Sequence, residues 1–458
     1  MTEWALTYAE ERQNDSLDQL KELLRIPSIS TLPDHADDIR QAAQWIADYA
    51  RNVGVENVQL IETGRHPLVY GDWLHAAGKP TVLVYGHYDV QPPDPLEEWE
   101  TPPFEPTVRD GKLYARGSSD DKGQILAQLK AIESFLKTDG SLPVNVKLCI
   151  EGEEEIGSQH LPDTLQAHHE RFQADVCVIS DSHIKGPDQP SIVYGLRGMV
   201  YGEIEVTGPS HDLHSGGYGG AVHNPMQAIC EILASLHDED GRVNIPGFYD
   251  TVRELSEDER EAAMDAGVRE SDILKESGVP AVWGEPDYGV AERLGARPTL
   301  EIHGIRGGFT GDGAKTVIPA KALAKVSMRL VPHQKADEIA ALFERHVESI
   351  APETVRGRAQ AFFKADPALV ERDHPVMEAA ARAYASSFGA RPVFTLEGGS
   401  IPVVSTLQRQ YDIPVVLMGF GLPDDRLHSP NEKFDLRQFE RGIECAIHFL
   451  SNVATQHG

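Results

Sequence analysis

Thr81-Val82-Leu83-Val84-Tyr85-Gly86-His87-Tyr88-Asp89 sets the reading of this chain. The run Thr81–Gly86 is apolar, with Lys79-Pro80 before it and Val90-Gln91-Pro92-Pro93 beyond it, the pattern of a short buried strand. Strand side chains alternate faces, so His87 and Asp89 are expected to project together. A carboxylate at Asp89 can accept one ring N–H of His87, which fixes the tautomer and leaves the other nitrogen for a metal. Open α/β sheets gather ligands at the carboxyl ends of their strands, where this pair stands. Alone, an H-x-D pair is equally compatible with a surface turn.

Later segments repeat the arrangement. Val144–Ile150 reads as a strand running into Glu151-Gly152-Glu153-Glu154-Glu155-Ile156-Gly157-Ser158, and Ala174–Ser180 as another ending at Asp181. The glutamate run is either a solvated face or part of a site. Gly111–Gly123 leads into a helix over Gln124–Lys137, so Asp120 and Asp121 either cap that helix or aim a carboxylate. Strand ends thus deliver His87 with Asp89, Glu154 with Glu155, and Asp181, and a helix start delivers Asp120. Converging carboxylates repel one another unless cations sit among them, and oxygen and nitrogen donors suit a pair of Zn²⁺ or Mn²⁺ ions.

Strands alternating with helices predict an α/β fold with a mostly parallel sheet and helices on both faces. The helices fall at Ser16–Leu24, Asp37–Val53, His374–Phe388 and Leu436–Val453. Composition changes after Pro187. Strands at Ser191–Thr207, Thr299–Ile305 and Ala322–Pro332, a glycine-rich loop at Ser210–Gly220, and helices near Asn224–His237, Ser256–Glu276 and Ala336–Ile350 indicate an inserted α+β domain. The expected organisation is a first domain from 1–187 and 371–458, interrupted by 188–370.

At 458 residues the chain has room for two domains, and 40% hydrophobic with 25% charged residues is ordinary for a globular protein. A net charge of −30 argues against nucleic acid and anionic membranes as partners. No apolar run nears the ~20 residues of a membrane span, and the acidic N-terminus lacks a secretory core. Cys149, Cys177, Cys230 and Cys445 lie far apart without a C-x-x-C pair, which predicts a reducing, cytoplasmic setting.

Eight motifs occur in order: H-Y-D-V-Q-P, R-G-S-S-D-D-K-G, E-G-E-E-E-I-G-S, Y-G-L-R-G, D-L-H-S-G, K-T-V-I-P, E-G-G-S-I-P and H-S-P-N-E-K. Together they resemble the di-metal aminoacylase/carboxypeptidase/dipeptidase family of metallopeptidases, and its cytosolic non-specific dipeptidase branch, relatives of carnosine dipeptidase, most closely. The resemblance implies that His87 and Asp181 ligate one metal, Glu155 and His428 the other, and Asp120 both. Asp89 would orient His87, and Glu154 would be the general base, with Glu153 outside the site. It further implies that the inserted domain is a lid and dimerisation domain. His214 would reach the active site of the other subunit in a homodimer. Arg329, Thr316, Gly399 and Ser400 would bind the substrate carboxylate. The implied activity is hydrolysis of dipeptides or short peptides with a free C-terminal carboxylate by a metal-bridged hydroxide. The cofactors would be two Zn²⁺ or Mn²⁺ ions, with Co²⁺ as a substitute in vitro. The alternative within the family is an N-acyl-amino-acid deacylase of the acetylornithine or succinyl-diaminopimelate type.

Overall fold

The computed structural model describes residues 1–399 and 401–455. Two compact units form: residues 1–194, 370–394 and 406–458 make the first, and residues 195–369 and 395–405 the second.

The first unit is α/β. Its sheet carries, in spatial order, strands Glu56–Ile61, Leu68–Trp73, Asn145–Glu151, Thr81–His87, Val176–Ile179, Val415–Leu417 and Ser191–Leu196. The central four run parallel, and antiparallel strands flank them on either side. Parallel strands buried on both faces read as continuous apolar runs, which is why Val82–Tyr85 and Val176–Ile179 stood out in the sequence. Register aligns the carboxyl ends, with His87 level with Glu151 and Tyr85 level with Ile179. Helices Ala36–Val53, Lys122–Asp139, Leu436–Val453 and Pro375–Phe388 pack side by side in that order. In Leu436–Val453 the buried Phe439, Ile443, Ala446, Ile447 and Leu450 recur at helical spacing. Lys122–Asp139 is buried almost all round, because it lies between strand Thr81–His87 and helices on its other sides. Across the sheet, Lys147 donates to the Gln173 carbonyl at 2.7 Å, and Tyr70 meets Phe172 edge-on.

Helix Lys122–Asp139 begins against a wall. A Cβ on Gly123 would stand 2.0 Å from the Ser118 carbonyl oxygen and 2.6 Å from Phe434 Cδ1. Gly123→Ala is therefore expected to destabilise the protein by about 1–3 kcal/mol, the usual cost of forcing an extra methyl into a packed site. Urea unfolding with an unchanged midpoint would show that the turn can yield.

The second unit is α+β. Its antiparallel sheet has the order Thr299–Gly307, Lys321–Leu330, Gly198–Thr207 and Arg356–Ala365. Burial alternates residue by residue along Gly198–Thr207, so one face is apolar. Val200, Ile204, Val206, Val326 and Met328 on that face pack with Ile229 and Ile232 of helix Pro225–Ser235 and Phe343 and Val347 of helix Ala336–Ile350.

Helix Ala336–Ile350 has the bounds read from sequence. The expected strand Ser191–Thr207 is broken at Arg197, whose N–H bonds the Glu397 carbonyl. Several elements gave no sequence signal, helix Thr2–Glu11 and strand Arg356–Ala365 among them. Helix Thr2–Glu11 buries only Ala5 and Ala9, and the edge strand Arg356–Ala365 fully buries only Ala359 and Ala365, too few apolar positions to set a period.

Candidate di-metal active site

His87 ends its strand, Asp181 lies two residues past Val176–Ile179, and Glu154 and Glu155 open a turn just after Asn145–Glu151. Aligned parallel strands therefore bring all four to one edge of the sheet. Asp120 arrives from the start of helix Lys122–Asp139. His428 arrives because strand Lys433–Asp435 pairs with Lys112–Tyr114, laying the segment before it beside the 115–120 turn. That segment holds Arg426, His428 and Asn431 at positive φ. Left-handed backbone at residues other than glycine costs about 1–3 kcal/mol each and concentrates at functional sites.

Two donor groups result, and they share a residue. His87, Asp120 and Asp181 form one, and Asp120, Glu155 and His428 the other, with ligand atoms in each all within 4.8 Å of one another. His87 Nε2 lies 3.2 Å from Asp120 Oδ1 and 3.7 Å from Asp181 Oδ2. His428 Nε2 lies 2.9 Å from Asp120 Oδ2 and 3.2 Å from Glu155 Oε2. The first group is enclosed, with His87 at 0% exposure, whereas His428 is 56% exposed.

The tautomer of His87 follows from its other nitrogen. Nδ1 donates to the main-chain carbonyl of Asp89 at 3.0 Å, so in the neutral imidazole the lone pair is on Nε2. Buried Nε2 has no hydrogen-bond partner and faces two carboxylates. Burial opposes a second ring proton, but Asp120, Asp89 and Asp181 outweigh it and raise the proton affinity of His87 well above the usual imidazole range. A divalent cation takes the place of that proton between the imidazole and the carboxylates, and the donor set fits Zn²⁺ or Mn²⁺.

The charges agree. Burial, then repulsion from Asp120, pushes Asp181 up to about 7. Burial also pushes Glu154 well above the usual carboxylate range; His87 opposes this, while Asp181, Glu155 and Asp120 add to it. Hydrogen bonds to Asp120 and Glu155 draw His428 up to about 10. Carboxylates here outnumber the imidazoles that answer them.

The profile of peptidase family M20/M25/M40 matches residues 83–452. The chain belongs to this family. Cys-Gly metallodipeptidase dug1 of Schizosaccharomyces pombe is 33% identical over 463 residues, spanning 97% of each chain. Beta-Ala-His dipeptidase of Homo sapiens is 32% identical over 474 residues, spanning 100% of this chain and 94% of the human one. Among solved structures, the M20 family metallo-carboxypeptidase Sso-CP2 from Sulfolobus solfataricus matches with a TM-score of 0.84 at 33% identity, over 96% of this chain and 99% of that one. The protein is an M20 metallopeptidase.

In this M20 peptidase Asp89 serves both His87 and the glutamate turn. The strand ends at His87, so the two-residue period stops there. The Asp89 carboxylate stands 3.5 Å from His87 Nδ1 and also accepts the N–H groups of Glu154 (3.3 Å) and Glu155 (3.1 Å). It anchors the glutamate turn while its carbonyl orients the imidazole. Glu153 points away, accepting from Thr63 Oγ1, the His66 N–H and His160 Nδ1. Asp121 makes no helix cap, and its Oδ2 accepts the His87 N–H at 3.2 Å.

Two supporting residues lie within the motifs without standing out in them. Gln91 donates to Glu155 Oε2 at 2.8 Å. Glu432 lies beneath the 116–120 turn, paired with Arg116. Both were legible only as letters beside better ligands.

The remaining candidates belong to the second unit. His214 is exposed on the short strand Leu213–His214, which pairs with Val317–Ile318, and its Nδ1 accepts the Gly216 N–H at 2.9 Å. The Thr316 carbonyl accepts the N–H of the neighbouring Ser215 at 3.1 Å. Arg329, half-buried on strand Lys321–Leu330, lines a cavity of about 350 Å³ with Arg197, Glu301, His303 and Ser327. Gly399 is exposed, and Ser400 lies outside the described residues.

Proposed function

We propose that this peptidase hydrolyses dipeptides, or short peptides with a free C-terminal carboxylate, using two divalent cations, Zn²⁺ or Mn²⁺. The observation that carries this reading is the meeting of two donor groups at Asp120, with the buried Nε2 of His87 turned between carboxylates. His87 and Asp181 would hold one cation, Glu155 and His428 the other, and Asp120 both. Bound there, the cations supply Lewis-acid polarisation of the peptide carbonyl and acidify the attacking water. Glu154 accepts the water's proton and passes it to the leaving amine. Arg329, aided by Thr316, Gly399 and Ser400, holds the substrate carboxylate, for which a guanidinium provides a two-pronged partner. Four cysteines without a disulfide support a cytoplasmic setting.

The names of the two curated relatives, Cys-Gly and Beta-Ala-His dipeptidases, support dipeptides over acyl-amino acids. The test is a panel on metal-loaded protein that includes Cys-Gly, β-Ala-His, tripeptides, N-acetylornithine and N-succinyl-diaminopimelate. Free amino acids released from dipeptides are the expected result. Acetate or succinate release without peptide cleavage would give the site to a deacylase.

We also propose a homodimer in which His214 of each subunit serves the other's active site. The Gly216 N–H points at Nδ1, so neutral His214 carries its proton on Nε2, as a donor to the scissile oxygen must. Mixing inactive His214→Ala and inactive Glu154→Ala subunits should restore about a quarter of wild-type activity, since random exchange makes half the dimers mixed and each of those has one intact site of two. Verified exchange with no recovery would return His214 to its own subunit or remove it from catalysis.

A further inference from the structure

Glu432 has no solvent contact, yet its carboxylate is among the most heavily used in the molecule. Oε1 accepts the N–H groups of Ser119 at 3.0 Å and Asp120 at 3.1 Å. Oε2 accepts the Gly117 N–H at 2.9 Å and Arg116 Nη1 at 2.7 Å. All four partners donate, so only the ionised carboxylate satisfies them, with two bonds to each oxygen. Glu432 is 0% exposed and Arg116 1%. The pair is thus closed off from water, and the carboxylate cannot exchange its partners for solvent.

The fold gives this contact its consequence. Glu432 lies four residues after His428, and the turn it grips carries Asp120. The two segments are more than 300 residues apart in the chain, yet His428 Nε2 and Asp120 Oδ2 stand 2.9 Å apart. Asp120 also faces His87 through its other oxygen. Strand Thr81–His87 holds His87, and the strand Val176–Ile179 beside it leads to Asp181, whereas the turn and the His428 segment are loops. Ser119 Oγ on Asp425 at 2.8 Å adds a second tie between the same loops.

We propose that Glu432 is a positioning residue that locks the Asp120 turn to the His428 segment and so sets chiefly the affinity of the Asp120–Glu155–His428 cation position, where two ligands depend on these loops, whereas the His87–Asp181 position shares Asp120 but keeps its other two ligands at strand ends. The inference rests on the ligand assignment proposed above. Glutamine at 432 keeps the shape but replaces one accepting oxygen with an NH₂ group, which must then face N–H donors. Either that pair of bonds is lost or the turn moves, and Asp120 moves with it.

The test is stepwise Co²⁺ titration of metal-free protein, followed by visible absorption and by metal analysis after desalting. Wild type should take up two equivalents. In Glu432→Gln the second equivalent should bind at least about tenfold more weakly, the usual effect of disturbing a ligand's hydrogen-bonding support, and the first, which loses only part of its Asp120 contact, should weaken much less. A general loss of structure would weaken both equivalents and lower the unfolding midpoint without separating them. Glu432→Asp, which keeps the charge but withdraws the carboxylate by one methylene, is titrated in parallel and decides the matter if the glutamine variant does not fold. Two equivalents bound within about twofold of wild type, or both weakened alike, would overturn the proposal. His428→Ala separates the two levels of the argument. If it keeps both equivalents, the ligand assignment falls and this inference with it. If it loses one equivalent while the folded Glu432 variants keep both, only the role of Glu432 falls.

Discussion

Glu154→Gln is expected to lower kcat by at least about 10²-fold, the usual worth of a general base, while metal content stays at the wild-type level. The side chain belongs to neither donor group, yet it shares the electrostatics of both: His87, Asp181, Glu155 and Asp120 all act on it. Burial and those carboxylates raise its proton affinity, as a group that must collect a proton from water and surrender it to an amine requires. Glutamine matches the size and cannot take the proton. Glu155→Ala is the contrasting variant, because its Oε2 lies 3.2 Å from His428 Nε2 and inside a donor group. It should lose metal as well as activity. Equal metal loss in both variants would mean that the base and the ligand have been exchanged.

Exhaustive chelation should abolish activity, with Zn²⁺, Mn²⁺ or Co²⁺ restoring it. The physical ground is the donor set itself: carboxylates gathered around a buried imidazole gain little from one another and much from a cation. Stripped protein should also lose stability as pH rises from about 4 to about 7. Asp181 in the fold titrates at about 7 against an ordinary value of 3.8. Across that window the folded state keeps a proton that the unfolded state releases, and stability falls as pH climbs. Full activity with no metal bound would end the two-cation reading, and a flat stability profile between those pH values would contradict the crowding of Asp181.

Much of the site could be read from the sequence because strands announce their own ends. Val82–Tyr85, Val146–Ile150 and Val176–Ile179 are apolar runs that need a sheet buried on both faces, and a polar residue just past each run must lie at the sheet's edge. That places His87, Glu154, Glu155 and Asp181 by one-dimensional reasoning. Asp120 was ambiguous, since an acid before a helix is usually a cap. The tertiary structure separates the two uses: neither Asp120 nor Asp121 caps the helix, Asp120 faces both histidines and Asp121 supports the His87 backbone.

What periodicity could not supply were the contacts made beyond the strand ends. The strand stops at His87, and beyond it the Asp89 carboxylate, 3.5 Å from His87 Nδ1, also takes the N–H groups of the glutamate turn while its carbonyl accepts from the imidazole. The bond from Glu432 to the Asp120 turn joins segments brought together only when Lys433–Asp435 pairs with Lys112–Tyr114. No local pattern encodes that pairing; it depends on packing and on buried hydrogen bonds that exist only once the chain has closed around them. The sequence by itself determined which residues stand at the ends of the sheet, because burial imposes a period on neighbouring residues. The tertiary structure alone decided which loops hold them in place, because a buried carboxylate takes its partners from whatever segments the fold delivers.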